Sequence, residues 1–225
     1  VLEFLGLTTN KGKTMGLAPM GDPNIFLEEV EKIVTVTSEG QLSFDLSYFN
    51  YQNMSWKRCS EKFHEIFGEP RKHGEDFKKH HMDVAAAFQR VLENKVLEIC
   101  DILHSKTNAD YLVISGGVSL NSVMNGRIVR ESSFKDVYVM PAAGDNGTAI
   151  GAAYYLYNGI FKKARNFVHT NPYVGTSYTN EEIEKILKGA KLQYETHENI
   201  CDVAANLLEE GKIIGWFQGA MEIGP

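Results

Sequence analysis

The fold is decided by residues 111–153, which run YLVISGGVSLNSVMNGRIVRESSFKDVYVMPAAGDNGTAIGAA. The apolar run 111–115 predicts a buried strand and the run 137–140 a second strand, each followed by a glycine-bearing loop and a helix. About 20 residues connect the two runs, enough for a crossover helix, so we expect neighbouring parallel strands. The pattern predicts an α/β fold with both loops at the sheet edge where ligands bind.

A long amphipathic helix is predicted ahead of this stretch, over residues 76–105, because apolar side chains recur there every three or four residues. The apolar stripe consists of Ala85, Phe88, Leu92, Val96, Ile99 and Leu103, and the polar side of Arg90, Glu93, Lys95 and Glu98. Further towards the N-terminus we expect loops over 1–22, a helix over 26–32 capped by Asn24, strands at 33–37 and 41–45, and a helix near 60–67.

A second α/β domain is predicted after residues 159–175, where glycine, proline and basic residues interrupt the pattern. Thr179 and Glu182 have the spacing of a capping box, which predicts a helix over 179–187. A helix over 201–210 and a strand over 213–217 should follow. We therefore divide the chain into a first domain (1–160), a linker (161–175) and the start of a second domain (176–225).

Composition excludes several function classes. Twenty-three Lys and Arg residues against 29 Asp and Glu residues give a net charge of −6, and no basic stripe is present to bind nucleic acid. No apolar run is long enough for a membrane span, and three scattered cysteines favour a reducing cytoplasm over a disulfide scaffold. Because the sequence runs from Val1 to Pro225 without a starting Met, we expect a piece of a longer protein.

The two glycine-bearing loops are the first candidate sites. Gly116 and Gly117 would let a ligand approach the backbone closely, beside unpaired N–H groups at the start of a helix over 119–132. The alternative is a turn that simply requires a positive φ. In the second loop, Asp145 follows Gly144 and could bind a cation, or it could be the N-cap or turn residue of the next helix.

Histidines offer no metal site of their own, since none of the seven lies four residues from another. We expect His80 and His81 to be solvated surface residues. The last candidate site is the loop after 213–217, which carries Gln218 and Glu222 among glycines, although an ordinary turn is the alternative.

Four motifs resemble those of the bacterial O-carbamoyltransferases of nodulation-factor and antibiotic biosynthesis, and they occur in the family's order. They are GKTMGLAPMGDP (12–23), ISGGVSLN (114–121), PAAGDNGTAIGAA (141–153) and GWFQGAMEIGP (215–225). The resemblance implies an actin/hexokinase-like ATPase-fold domain followed by a smaller domain that forms carbamoyl-adenylate.

The resemblance also implies roles for individual residues. Gly116, Gly117, Asn121 and Gly144 would bind ATP. Asp145 would be one ligand of a divalent metal, iron or magnesium, alongside the histidines of an upstream HxxxH motif. Gln218 and Glu222 would be catalytic in the loop where carbamoyl phosphate and ATP give carbamoyl-adenylate, and the family continues that loop with Arg-Ala-Leu-Gly.

The implied reaction transfers the carbamoyl group to a hydroxyl of a sugar-like or natural-product acceptor, without nucleic acid or membrane partners; a homo-oligomer is an open alternative. This piece alone is expected to be inactive. The alternatives are another actin-like-fold ATP user, such as a carbohydrate kinase or a threonylcarbamoyl-transfer protein, and a non-catalytic nucleotide-binding module.

Overall fold

The computed structural model describes residues 1–7, 12–53 and 57–223. Helices are combined with small two-stranded sheets among these residues, which confirms the α/β class. Their bounds are α1 (Gly12–Leu17), α2 (Leu27–Ile33), β1 (Val34–Val36), β2 (Leu42–Phe44), α3 (Glu61–Phe67), α4 (Lys79–Thr107), β3 (Tyr111–Ile114), α5 (Ser122–Glu131), β4 (Asp136–Val139), α6 (Gly147–Tyr154), α7 (Asn180–Gly189) and α8 (Ile200–Glu209). The chain divides into two compact units, Val1–Gly144 and Asp145–Pro225.

The start of the first unit is more helical than predicted. The described part of the loop expected over 1–22 contains α1 and a 3₁₀ turn, Ala18–Met20, and residues 8–11 of that prediction lie outside the described residues. Gly21, which follows the 3₁₀ turn, packs directly against the backbone of α4. A Cβ added at Gly21 would lie 2.1 Å from the carbonyl oxygen of Met82. Close packing on α4 therefore orders a segment whose composition alone favours a loop.

The elements predicted between residues 26 and 67 are confirmed, except for one cap. Strands β1 and β2 form an antiparallel pair, and α2 and α3 lie within two residues of their predicted bounds. Asn24 does not cap α2; it lies in a 3₁₀ turn (Pro23–Ile25) whose N-cap is Asp22, and its N–H donates to the Asp22 carboxylate at 2.9 Å. The residue that caps a helical segment here is therefore Asp22, and the segment it caps is the 3₁₀ turn that precedes α2.

Helix α4 is the long helix predicted, and most of its stripe packs inward. Its first half contacts an apolar core that includes Phe4, Phe63 and Phe67, and its second half contacts a smaller core around Leu112 and Ile128. Two features differ from the prediction: Leu103 is 41% exposed, whereas Glu93 on the predicted polar side is 4% exposed. The Glu93 carboxylate is buried because it has partners on α5, described below.

The decisive stretch forms the predicted parallel pair of strands. Leu112 lies opposite Val137 in the register of β3 and β4, and α5 connects the two strands. The strand β3 is not buried on both faces, however: Leu112 is buried while Tyr111 and Val113 are about 70% exposed. Only one face of β3, the face that carries Leu112, therefore packs against α4 and α5.

The second unit is helical among its described residues. Helix α6 is followed directly by a π-helical turn, Tyr155–Ile160. The capping box is confirmed, since Thr179 N–H donates to Glu182 Oε2 at 2.8 Å and Glu182 N–H to Thr179 Oγ1 at 3.2 Å. The strand predicted at 213–217 does not form, because no other described segment pairs with it.

The linker predicted at 161–175 stays a prediction. Its residues carry no helix, but the division between the compact units falls earlier, between Gly144 and Asp145. Among the described residues, no helix combines the length and apolar character that crossing a membrane requires.

Candidate functional site

A tight turn at the end of β3 carries the glycine pair; we call residues 116–121 the glycine loop. Gly116 has φ +99°, which an L side chain rarely adopts, so the turn itself requires a glycine there. Gly116 N–H donates to the Ala143 carbonyl at 2.9 Å, and Met140 N–H donates to Ile114 at 3.0 Å. These bonds bring the segment after β3 against the segment after β4, as expected for one edge of a parallel sheet.

Gly117 differs from Gly116 because its backbone does not require a glycine. It is exposed, and a Cβ added there would meet no heavy atom within 4 Å. The N–H groups of Gly117 and Val118, which open the 3₁₀ turn Gly117–Leu120, have no acceptor among the described residues. Free N–H groups beside open space are suited to anionic oxygens such as those of a phosphate.

The helix after the glycine loop begins later than predicted. Helix α5 starts at Ser122, because Asn121 occupies its N-cap and accepts from Met124 N–H at 3.1 Å. Ser119 is buried within the loop, where its hydroxyl donates to the Gly116 carbonyl at 2.7 Å. The loop is therefore held by its own hydrogen bonds as well as by its neighbours.

A polar network lies behind the glycine loop, and the sequence reasoning missed it. Asn121 exchanges two hydrogen bonds with Gln89 of α4, and Gln89 also donates to Glu93 at 2.7 Å. Arg127 of α5 donates to Glu93 at 3.1 Å. Hydrogen bonds from Arg127 to Glu131 and to Glu93 raise the pKa of the guanidinium further above its ordinary value. The available signal was the four-residue spacing of Gln89 and Glu93, which places two polar groups on one helix face.

Gly144 and Asp145 lie on either side of the division between the units. Gly144 is half-buried in the first unit. In the second, Asp145 accepts through its main-chain oxygen from the N–H and the hydroxyl of Thr148, at 3.2 and 2.6 Å. Its carboxylate is exposed, without a hydrogen-bond partner among the described residues. Asn146 is the N-cap of α6 and Asp145 lies in the turn before it, so Asp145 is not the N-cap; its binding of a cation stays a prediction.

The described part of the chain does not form a metal site by itself. Residues 1–7, 12–53 and 57–223 contain no group of three His, Cys, Asp or Glu side chains that could hold an ion. A single exposed carboxylate does not make a divalent-metal site, so these residues fit at most one position of such a site.

His80 and His81 are not the solvated pair expected. His81 is 1% exposed; its Nδ1 accepts from Lys78 N–H at 3.1 Å, and its Nε2 lies 3.0 Å from the Glu69 carbonyl. Both imidazoles pack against Phe4. Burial lowers the pKa of His81 because it disfavours the charged form of the ring. The start of α4 is buried because the N-terminal segment packs over it.

Gln218 and Glu222 lie on an exposed loop of the second unit. Main-chain hydrogen bonds attach this loop to the segment 172–177: Gly175 N–H donates to the Met221 carbonyl and Met221 N–H to Thr176, both at 2.9 Å. Gln218 also borders an open cavity of about 350 Å³, lined by apolar residues of α8 and of 214–217. The last two residues of the motif, Gly224 and Pro225, lie outside the described residues.

Several known proteins are similar to this sequence over all or part of its length. Protein sll1178 of Synechocystis is 36% identical over 99% of this chain, which corresponds to 38% of that protein. The nodulation protein NolNO of Sinorhizobium fredii is 30% identical over 100% of this chain and 32% of its own length. A 3'-hydroxymethylcephem-O-carbamoyltransferase of Amycolatopsis lactamdurans is 29% identical over 51% of this chain and 21% of its own length.

The chain thus spans about a third of the length of the first two relatives. The protein-family model that describes the carbamoyltransferase N-terminus matches residues 3–154 of this chain. The match includes the glycine loop, Gly144 and Asp145. The family predicted from the four motifs is confirmed: this chain belongs to the carbamoyltransferases.

Proposed function

We propose that the full-length protein is an O-carbamoyltransferase. It would take the carbamoyl group of carbamoyl phosphate, with release of inorganic phosphate, and join it to the AMP part of ATP, with release of pyrophosphate. The resulting carbamoyl-adenylate would pass the group to a hydroxyl of a sugar-like or natural-product acceptor. Family membership supports carbamoyl transfer, and the cephem O-carbamoyltransferase among the relatives supports a hydroxyl acceptor. The wider family expectation, an actin/hexokinase-like domain that ends in this chain, is part of the same proposal.

The glycine loop is the observation that carries the nucleotide-binding part of the proposal. It lies at the carboxyl edge of two parallel strands, where α/β proteins bind ligands. Gly117 leaves the space that a Cβ would fill, and the N–H groups of Gly117 and Val118 have no acceptor among the described residues. ATP would supply phosphate oxygens for these donors and the adenylate that activates the carbamoyl carbon.

The transfer itself forms one bond and breaks one. The acceptor oxygen attacks the carbamoyl carbon, the bond from that carbon to the phosphate oxygen of AMP breaks, and AMP leaves with the electron pair. The hydroxyl proton passes to a base. We propose that Gln218 and Glu222, both exposed to solvent, act in the loop where the carbamoyl group is activated.

The divalent metal stays a prediction of the family resemblance. Asp145 would supply one carboxylate oxygen, and the remaining ligands would have to come from outside the described residues. Because the described residues do not form the site, the mechanism above assigns no step to the ion.

The products formed from ATP test the proposed function. The full-length protein is incubated with ATP, carbamoyl phosphate and a set of hydroxyl acceptors, and the nucleotides are quantified by chromatography. We expect equal amounts of AMP and pyrophosphate, and neither when carbamoyl phosphate is left out. Formation of ADP would instead favour a carbohydrate kinase, and binding of ATP without turnover would favour a non-catalytic module.

A further inference from the structure

Two side-chain amides face each other between α4 and the glycine loop. Asn121 Nδ2 donates to Gln89 Oε1 at 2.9 Å, and Gln89 Nε2 donates back to Asn121 Oδ1 at 3.1 Å. Gln89 is 8% exposed, so water cannot readily replace its hydrogen bonds. The same Asn121 amide caps α5 through Met124 N–H. One buried amide of α4 thus fixes the residue at which the glycine loop ends.

A buried ion pair fixes the orientation of the Gln89 amide. Gln89 Nε2 directs its second hydrogen to Glu93 Oε1 at 2.7 Å, and the Glu93 carboxylate can only accept. The Glu93 side chain is 5% exposed, and its other oxygen accepts from Arg127 at 3.1 Å. Arg127 is held in turn by two hydrogen bonds to Glu131, at 2.9 and 2.7 Å. A flip of the Gln89 amide would place its oxygen against the Glu93 carboxylate and remove a hydrogen-bond donor from that buried charge.

The glycine loop is therefore fixed at both ends. Gly116 is bonded to Ala143 at the sheet edge, and Asn121 is bonded to Gln89. The free N–H groups of Gly117 and Val118 lie between these two attachments. We propose that Gln89 is a positioning residue, which acts through Asn121 to hold those N–H groups where the nucleotide binds. This inference rests on the proposed nucleotide-binding role of the loop.

Amide hydrogen exchange of the full-length protein tests the positioning directly. Gln89→Met keeps the length of the side chain but removes both hydrogen bonds to Asn121. The N–H groups of Ser119 and Asn121, which bond within the loop, should then exchange about tenfold faster, as expected for the loss of buried hydrogen bonds. As a matched control, Glu98→Gln breaks the α4 ion pair to Lys95 and should leave exchange in the loop unchanged.

The affinity for ATP tests the functional consequence. Titration calorimetry should give a dissociation constant about tenfold higher for Gln89→Met than for the wild type, and an unchanged value for Glu98→Gln. Wild-type exchange and wild-type affinity in a folded Gln89→Met variant would overturn the inference. If the wild type binds no ATP, the proposed function of the loop fails, while the exchange rates still decide whether Gln89 positions it.

An amide–carboxylate swap separates positioning from a general loss of packing. Gln89→Glu alone places two carboxylates at hydrogen-bonding distance and should raise both the exchange rate and the dissociation constant. Adding Glu93→Gln returns a donor to the pair and leaves an acceptor for Asn121 Nδ2, so both quantities should return most of the way to wild type. A folded double variant that shows no recovery would contradict the proposal.

Discussion

Replacing Gly117 by alanine separates ligand binding from folding. The added methyl group would have no heavy atom within 4 Å, and the φ of Gly117 is not in the left-handed region. Alanine should therefore fit, and by restricting the unfolded chain it should raise the free energy of unfolding by up to about 1 kcal/mol. Gly116 offers no such test, because its φ of +99° strains any other residue.

The same methyl group lies where a bound phosphate would approach the loop. Overpacking of this kind costs about 1–3 kcal/mol, which corresponds to a dissociation constant for ATP about 5- to 150-fold higher. Titration calorimetry and thermal unfolding of the full-length Gly117→Ala variant would measure both effects. Gly189→Ala, at a second glycine with open space around it, is the matched control. An unchanged affinity for ATP in Gly117→Ala would refute the assignment of the loop.

Four further changes test other parts of the structure. Gly21→Ala forces a methyl group into the α4 backbone, and urea unfolding should show a loss of about 3 kcal/mol; no loss would contradict the packing described. Arg127→Met removes the cation that is hydrogen-bonded to the buried Glu93 carboxylate and leaves Arg90 3.8 Å away, so it should cost about 3 kcal/mol, most of it recovered by adding Glu93→Gln; equal losses with and without the second change would oppose this. Burial lowers the pKa of His81 in the folded state, so the unfolded state gains its proton more readily as the pH falls through the ordinary histidine pKa of about 6.5; the free energy of unfolding should decrease by at most about 1.4 kcal/mol per pH unit, and His81→Gln should reduce that decrease. Asp145→Asn should leave the melting temperature of the metal-free protein unchanged, since the carboxylate is exposed and unpaired among the described residues. It should lower the content of divalent metal measured by elemental analysis, and full metal content would end the assignment of Asp145 as a ligand.

Local patterns in the sequence were sufficient for the elements whose causes are local. The alternation of apolar runs and glycine loops predicted the parallel pair β3–β4, because a connection of that length leaves few other arrangements. The spacing of Thr179 and Glu182 predicted the start of α7 correctly, since both bonds of a capping box form within four residues.

Features that depend on distant partners were not predictable in this way. Glu93 was expected on the solvated side of α4, but it is buried because Arg127, 34 residues later, reaches it from α5. His81 is covered by Phe4, from the N-terminal segment of the unit. The strand expected at 213–217 needs a partner that no other described segment supplies. The metal role of Asp145 stays a prediction, because the described residues supply no group of ligands that could hold an ion.

Carbon-13 in the carbamoyl donor provides the most direct test of carbamoyl transfer. The full-length protein is incubated with ATP, ¹³C-labelled carbamoyl phosphate and the hydroxyl acceptors, and the products are examined by NMR and mass spectrometry. We predict that the label appears in an ester linkage to the acceptor oxygen, only when ATP is present. Label recovered solely as carbonate, or acceptor modified by a phosphate group, would contradict the account.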